Sequence, residues 1–172
     1  MYLEEFYDYK NKMMDDLLTD PTIVGLLNED PQNIVCNGES LIYDQVFPYE
    51  YVPETVEHAK TYICIDVDVE NQDLNKTYLN GKIMVWVFTH RSLMRLPEGG
   101  VRVDKLCSEI DKAINGSRKY GLGQLNLLSS KRFAIMTDYQ GKVLTFYTTD
   151  FNKVHDPKRP FPANRRQLNA NT

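Results

Sequence analysis

Apolar side chains follow a helical spacing at the start of the chain. They recur at i, i+3, i+4 and i+7 from Leu3 to Leu18, which predicts an amphipathic helix. Asp20-Pro21 ends the pattern, because the residue before a proline is disfavoured in helical geometry. A second, short helix is predicted from Thr22 to Asn28, and Asp30-Pro31 ends it. We interpret residues 1–30 as a helical lead-in to the domain.

The pattern is weaker between residues 32 and 60. Asn37-Gly38 predicts a turn, and Ser40 to Phe47 is compatible with a strand. Residues 47–53 form an aromatic and proline-rich stretch that we expect to be an extended loop, and we call it the Tyr/Pro loop. Its aromatics either pack over the edge of a sheet or present Tyr49 and Tyr51 to another subunit, since tyrosine is favoured at interfaces.

Two strands are predicted next, and they differ in pattern. The strand from Thr61 to Glu70 alternates strictly. One face carries Ile63, Ile65, Val67 and Val69, and the other carries Cys64, Asp66, Asp68 and Glu70. Lys82 to His90 is apolar on both faces, which is typical of a central strand that is covered on both sides. We expect the two to form an antiparallel pair joined by the polar loop 71–80.

The remaining elements complete the predicted domain. Val103 to Ile114 is apolar along one helical face and ends at Asn115-Gly116. Gly121 to Phe133 is predicted to be extended with a bend, with residues 132–137 as a candidate continuation. Tyr139-Gln140-Gly141-Lys142 is predicted to be a tight turn, and Val143 to Phe151 a strand rich in β-branched and aromatic residues.

The order of these elements predicts an α+β fold, with a mostly antiparallel sheet packed against helices. The domain is expected to span residues 1–151. Residues 152–172 are rich in proline and asparagine, and we predict that they form an extended arm that only a partner would order.

Charge is distributed unevenly over the 172 residues. The predicted arm holds five basic residues against Asp156, a net +4, so the net charge of −4 leaves −8 for residues 1–151. A body this acidic should not bind nucleic acid on its general surface. The arm could bind an acidic surface, including that of a neighbouring copy. Its candidate contact residues are Lys158, Arg159, Arg165 and Arg166.

Compartment and cofactor predictions follow from the cysteines, the histidines and the apolar runs. Cys36, Cys64 and Cys107 are widely spaced, which favours reduced, mostly buried thiols in a cytosolic protein. The histidines are isolated, so neither a zinc site nor a cofactor is predicted. The first residues lack the features of a signal peptide, and no apolar run approaches the roughly 20 residues of a membrane span.

Asp66, Asp68 and Glu70 are the most enzyme-like feature of the chain. Three carboxylates on one strand face could hold a divalent cation, as in metal-dependent nucleases. The next strand offers Lys82 and His90 but no further acid. A solvated acidic face or an acidic strip lining a pore explains the same pattern.

Two further candidates for chemistry have structural explanations. His90 is expected to be a cap or a surface residue, because no serine, cysteine or acid lies at triad spacing. Gly121-x-Gly123 lacks the strand–loop–helix context of a phosphate-binding loop. We therefore predict no catalytic site.

The order of elements resembles that of a known protein family. An N-terminal helix is followed by the Tyr/Pro loop and a strand, and a second strand ends in Phe88-Thr89-His90-Arg91. A helix begins near Val103-Asp104 and is followed by Leu122-Gly123-Gln124-Leu125. The segment closes on Thr149-Asp150-Phe151-Asn152. This layout is similar to the tail terminator and head–tail joining proteins of long-tailed bacteriophages, over residues 62–152 and more loosely over the first thirty.

The resemblance implies a structural virion protein that is assembled in the host cytoplasm and catalyses no reaction. It implies a ring, commonly of six copies, at the head-proximal end of the tail, beside connector and tail tube proteins. DNA would pass through the lumen without specific binding. Asp66, Asp68 and Glu70 would then face the lumen and repel phosphate. The long basic arm departs from a minimal member and suggests contact with a neighbouring subunit or ring. A metal-dependent nuclease and a non-viral interaction module are the alternatives.

Overall fold

The computed structural model describes residues 3–28, 38–53, 59–71, 77–135 and 137–151. These residues form three α-helices, five strands and short 3-10 turns at Gly38–Leu41 and Arg91–Leu93. The helices are α1 (Leu3–Thr19), α2 (Pro21–Leu27) and α3 (Arg102–Ile114). The strands are β1 (Val46–Phe47), β2 (Thr61–Asn71), β3 (Tyr78–His90), β4 (Asn126–Ala134) and β5 (Tyr139–Phe151).

The strands form one sheet in the order β1-β2-β3-β5-β4. The four long strands pair antiparallel, and only the two-residue β1 pairs parallel, with Ile63 and Cys64 of β2. β2 and β3, and likewise β4 and β5, are neighbours in sequence, whereas β3 pairs with β5 across the segment that contains α3 and β4. The predicted α+β class with a mostly antiparallel sheet is confirmed.

All three helices cover one face of the sheet and build the main core with it. Met13 and Leu17 of α1, Ile23 of α2, and Leu106 and Ile110 of α3 are fully buried. They pack against a layer of strand residues that includes Ile63, Ile65, Ile83, Val85, Val87, Leu144 and Phe146. The alternation predicted for β2 is thus confirmed, with its isoleucines on the covered face.

The opposite face is covered at one end only. Phe47, Tyr62, Cys64, Phe88 and Tyr139 form a second buried cluster there, with Tyr51 of the Tyr/Pro loop packed against it. Met84 and Trp86, further along β3, are only half-buried. β3 is the central strand, as predicted, but the expectation that it is covered on both sides holds only at its Phe88 end. We call the uncovered part the open face.

The helix ends follow the predicted signals. The side chain of Asp20 accepts a hydrogen bond from the Thr22 N–H at 2.8 Å, and Pro21 occupies the first turn of α2, so Asp20-Pro21 ends one helix and starts the next. α3 ends at Ile114, and its C-cap Asn115 precedes Gly116 at φ +79°. The second expected stop, Asp30-Pro31, and the turn residue Asn37 lie outside the described residues.

Several predicted boundaries are wrong. Residues 38–45 form a 3-10 helix and turns, so the strand is limited to Val46–Phe47. β4 begins only at Asn126, and residues 121–125 are irregular. Residues 139–142 are the first residues of β5 and not a turn. Gly141 is needed because a β-carbon there would overlap the Val87 carbonyl oxygen on β3.

A buried arginine links the helices. Arg102 donates from Nη1 to the Leu26 carbonyl at 2.6 Å, near the end of α2, and from Nε to the Leu93 carbonyl at 2.8 Å. A cation near the C-terminus of a helix satisfies its last carbonyls and complements the helix dipole. Within the described residues, no helix is long and apolar enough to cross a membrane.

Candidate assembly surface

The open face brings the three predicted carboxylates into register with two neighbouring strands. Asp66 lies opposite Met84, Asp68 opposite Lys82, and Glu70 opposite Asn80. Further across the sheet, Met84 aligns with Thr145, Lys82 with Tyr147, and Asn80 with Thr149. Asp66, Asp68 and Glu70 thus form a row along one margin of the open face.

Lysines accompany two of these acids. Asp66 is hydrogen-bonded to the ammonium of Lys10, which reaches it from α1 and also donates to the Pro48 carbonyl at 3.2 Å. The same Asp66 carboxylate accepts the Val67 N–H at 2.8 Å. The Lys82 Nζ lies 4.0 Å from Asp68 Oδ2. Glu70 is exposed. The row is therefore a mixed-charge surface in which the acids exceed the lysines only at the Glu70 end.

The geometry gives no support to a metal site on this row. Among the described residues, no group of three or more His, Cys, Asp or Glu side chains is placed to hold a metal ion. The partners of Asp66 and Asp68 are lysines, which compete with a cation for the same oxygens. The nuclease alternative therefore gains nothing from the structure.

Other candidates for chemistry have structural roles. Burial raises the pKa of the Cys64 thiol to about 12 and that of the Cys107 thiol to about 12, so neither forms a thiolate readily. Both are free and buried, as predicted, while Cys36 lies outside the described residues. His90 Nδ1 accepts the Ser92 N–H at 3.3 Å and caps the short Arg91–Leu93 helix, which confirms the expected capping role.

The two tyrosines of the Tyr/Pro loop have different surroundings. Tyr51 stacks on Phe47 with ring centroids 4.1 Å apart and contacts Tyr62, so it packs over the sheet. Tyr49 is 46% exposed and lies near Tyr43, which is 63% exposed. Of the two interpretations of this loop, sheet packing describes Tyr51, and Tyr49 remains a candidate contact residue.

Two tyrosine–carboxylate hydrogen bonds hold α1, and neither was predicted from the sequence. Tyr9 donates to Asp150 Oδ2 at 2.7 Å, and Tyr120 donates to Asp16 Oδ2 at 2.6 Å. Burial first, and then these bonds, raise the pKa of both phenols. The partners lie more than 100 residues apart, so no local pattern could have revealed them. Asp150 is also the penultimate residue of β5, so the bond anchors α1 where the predicted arm begins.

The predicted contact residues of the arm, Lys158, Arg159, Arg165 and Arg166, lie outside the described residues, as does the proposed boundary at residue 152. β5 ends at Phe151, whose ring stacks on Tyr78 with centroids 5.3 Å apart. Phe151 is paired with Tyr78 at the start of β3, at the end of the sheet where Glu70 lies. The last described residue, Phe151, therefore lies at the same end of the sheet as Glu70, two strands away from it.

Comparison with known proteins gives a fold and a family. A chain from the virion of a native gene transfer agent particle aligns with 81% of this chain and 92% of its own length, at a TM-score of 0.51 and 15% identity. At this identity the likeness establishes a shared fold. No curated protein sequence matches the chain. The YomW family model matches residues 20–148, and the chain therefore belongs to the YomW family.

Proposed function

We propose that the chain is a structural virion protein that forms a ring at the head–tail junction, where it caps the tail tube as a tail terminator and lets DNA pass. The observation that carries the proposal is the fold shared with a virion chain of a gene transfer agent particle, over nearly the whole of that chain. The layout of elements, which is similar to that of tail terminator and neck proteins, supports the same role.

The open face suits a surface past which DNA slides. Asp66, Asp68 and Glu70 are the proposed lumen-facing residues, with Lys10 and Lys82 beside two of them. A lysine already paired with a carboxylate binds phosphate weakly, because the carboxylate competes for the same ammonium. The exposed Glu70 adds net negative charge. Such a face neither holds the DNA backbone nor blocks it.

The proposed partners are copies of the same chain, six in a ring, together with neighbouring connector and tail tube proteins. The exposed Tyr49 and the basic residues of the arm would contact adjacent subunits. β5 ends at Phe151, at the same end of the sheet as Glu70, so an arm that continues from Phe151 could reach acidic groups of a neighbouring copy. The proposed location is the virion, after assembly in the host cytoplasm, and the role requires neither a reaction nor a cofactor.

Three measurements on the full chain and on purified particles test this proposal. Sedimentation velocity should show a closed oligomer, and peptide mass spectrometry should find the chain in purified particles. A strictly monomeric protein that is absent from particles contradicts the proposal. DNA incubated with the protein and Mg²⁺ or Mn²⁺ should stay intact, and cleavage that Asp68→Ala abolishes would favour the nuclease instead.

A further inference from the structure

Two edges of the sheet present unpaired backbone among the described residues. β1 covers only Ile63 and Cys64 of β2, so no described strand pairs with the outer edge of β2 from Asp66 to Asn71. At the other side of the sheet, the only described partner of β4 is β5, which leaves the outer edge over Asn126–Ala134 without a strand from the described part of the chain. An open edge offers N–H and C=O groups to a strand of another chain.

The two edges carry opposite charge. Asp66, Asp68 and Glu70 project from β2 onto the open face, and the Asp68 side chain is 52% exposed. On β4, Lys131 and Arg132 are both exposed. Lys131 lies opposite Val143, which faces the open side of the sheet beside Trp86, so Lys131 and the acids share one face.

The strand directions allow these edges to meet in a ring. The four long strands alternate in direction in the order β2, β3, β5, β4, so β4 runs antiparallel to β2. Rotation about a ring axis leaves the component of each strand's direction along that axis unchanged. The β4 edge of one copy would therefore meet the β2 edge of the next as an antiparallel pair, with the open faces on the same side of the ring.

We infer that copies of this chain associate head to tail, with the β4 edge around Lys131 against the β2 edge around Asp68 and Glu70 of the next copy. This inference rests on the proposed ring and specifies the contact between neighbouring copies. We call this contact of the β4 edge with the β2 edge the seam. Across the sheet Lys131 lies level with Cys64, so this contact requires neighbouring copies to be staggered along the strands by about six residues, from Cys64 to Glu70. That stagger places Lys131 of one copy beside the excess acid at the Glu70 end of the row. Leu128, which is 62% exposed beside the bulge in β4, adds apolar area to the same edge.

The same charges oppose pairing of identical edges. Two β2 edges joined antiparallel about Asp68 would set Asp68 against Asp68 and Asp66 against Glu70 on one face. Like charges directly opposite each other destabilise a strand pair. Two β4 edges would bring Lys131 and Arg132 of both copies together. Charge therefore selects the head-to-tail contact, the kind of contact from which a ring can close, over a two-fold dimer.

Backbone bonds at the seam are confined to the end of β2. The Ile63 N–H donates to the Gln45 carbonyl at 2.8 Å, so odd-numbered residues of β2 direct their backbone polar groups to this edge. At Val67 the N–H is already taken by the Asp66 carboxylate, which Lys10 holds in place. This protects part of the edge in a single subunit and leaves Val69 and Asn71 for the neighbouring strand.

A charge swap tests the seam in the full chain. Lys131→Glu should weaken association by roughly tenfold at low salt, since it replaces an attraction across the seam with a repulsion. The double variant Lys131→Glu with Glu70→Lys should regain most of the loss. Lys105→Glu, an equal charge change on the exposed side of α3, should assemble like the unmodified chain. A ring that forms equally with Lys131→Glu, or a double variant that gains nothing, overturns the inference.

Cross-linking separates this inference from the proposed ring itself. Oxidation of the double variant Glu70→Cys/Lys131→Cys should give a covalent ladder of copies, with the unmodified chain as the background control for its native cysteines. A mixture of the two single variants should give only dimers that contain one of each. Rings without a ladder overturn the seam and leave the ring proposal standing, whereas a chain that stays monomeric overturns both.

Discussion

The two faces of the sheet show how one set of strands serves two purposes. The covered face carries aliphatic side chains that three helices bury completely, as at Ile83 and Val85. The open face of the same strands carries Met84, Trp86 and Lys82 in half-exposed positions. Burial on the first face supplies most of the folding free energy. The second face is free to vary for contacts with other molecules, and on this account it is the functional face.

Consecutive residues of β3 should separate the two faces most strongly. Ile83→Ala removes a fully buried side chain and is expected to lower the free energy of unfolding by about 2–5 kcal/mol. Met84→Ala, on the open face, should cost less than about 1 kcal/mol. Urea unfolding of the two variants at pH 7 measures the difference. Equal losses would show that the open face is buried after all.

The single tryptophan gives an intermediate case. Trp86 is half-buried, so Trp86→Ala should cost less than the roughly 3–5 kcal/mol of a fully buried tryptophan. Its fluorescence in the folded chain should be quenched by acrylamide. A loss within the fully buried range, or emission that acrylamide does not quench, would contradict the exposure of this face.

A polar contact on the covered side offers the next test. Tyr9→Phe removes the donor to the buried Asp150 carboxylate and should lower the free energy of unfolding by about 1–3 kcal/mol. Tyr7→Phe, on the exposed side of α1, is the matched control and should stay within about 0.5 kcal/mol. Similar values for the two variants would show that the Tyr9–Asp150 bond contributes nothing.

The same tyrosines predict a loss of stability at alkaline pH. The pKa of Tyr9 and that of Tyr120 are raised in the folded state, so their contribution is fully present below the unfolded pKa of about 10. Above it, the unfolded state loses protons that the folded state retains, and stability falls as pH rises. The double variant Tyr9→Phe/Tyr120→Phe should show a shallower fall between about pH 9 and 11. An unchanged slope would assign the fall to other groups.

The smallest effect on folding is expected from removing residues 152–172. We predict this segment to be an arm outside the domain core, so the free energy of unfolding should change by less than about 0.5 kcal/mol. Association should weaken, because the basic charges proposed to contact neighbouring copies are gone. Loss of soluble protein on deletion would show that the arm belongs to the fold.

Local sequence patterns predicted which helices and strands form. They failed at positions whose role depends on packing against a neighbouring strand. The alternation of Ile63, Ile65 and Val67 identified β2, and the helical spacing identified α1 and α3. Gly141 suggested a turn. In the structure a glycine is required there because a side chain would overlap the Val87 carbonyl oxygen on the neighbouring strand. That requirement appears only once β3 and β5 are paired.

The candidate site was predictable in composition but not in detail. Alternation placed Asp66, Asp68 and Glu70 on one face. It could not show that Lys10, 56 residues away, would bond to Asp66, or that Lys82 would lie opposite Asp68. Those lysines turn an apparent acidic strip into a mixed-charge surface. Long-range pairing also determines the open edges and the bond of Tyr9 to Asp150.

The most direct test is electron cryo-microscopy of the full chain as an assembled ring or within the particle. We expect a closed ring whose channel is lined by the open face, with Asp68 and Glu70 turned towards the lumen and α1 and α3 on the outside. A ring whose channel is lined by the helices would show that the open face is not the functional face.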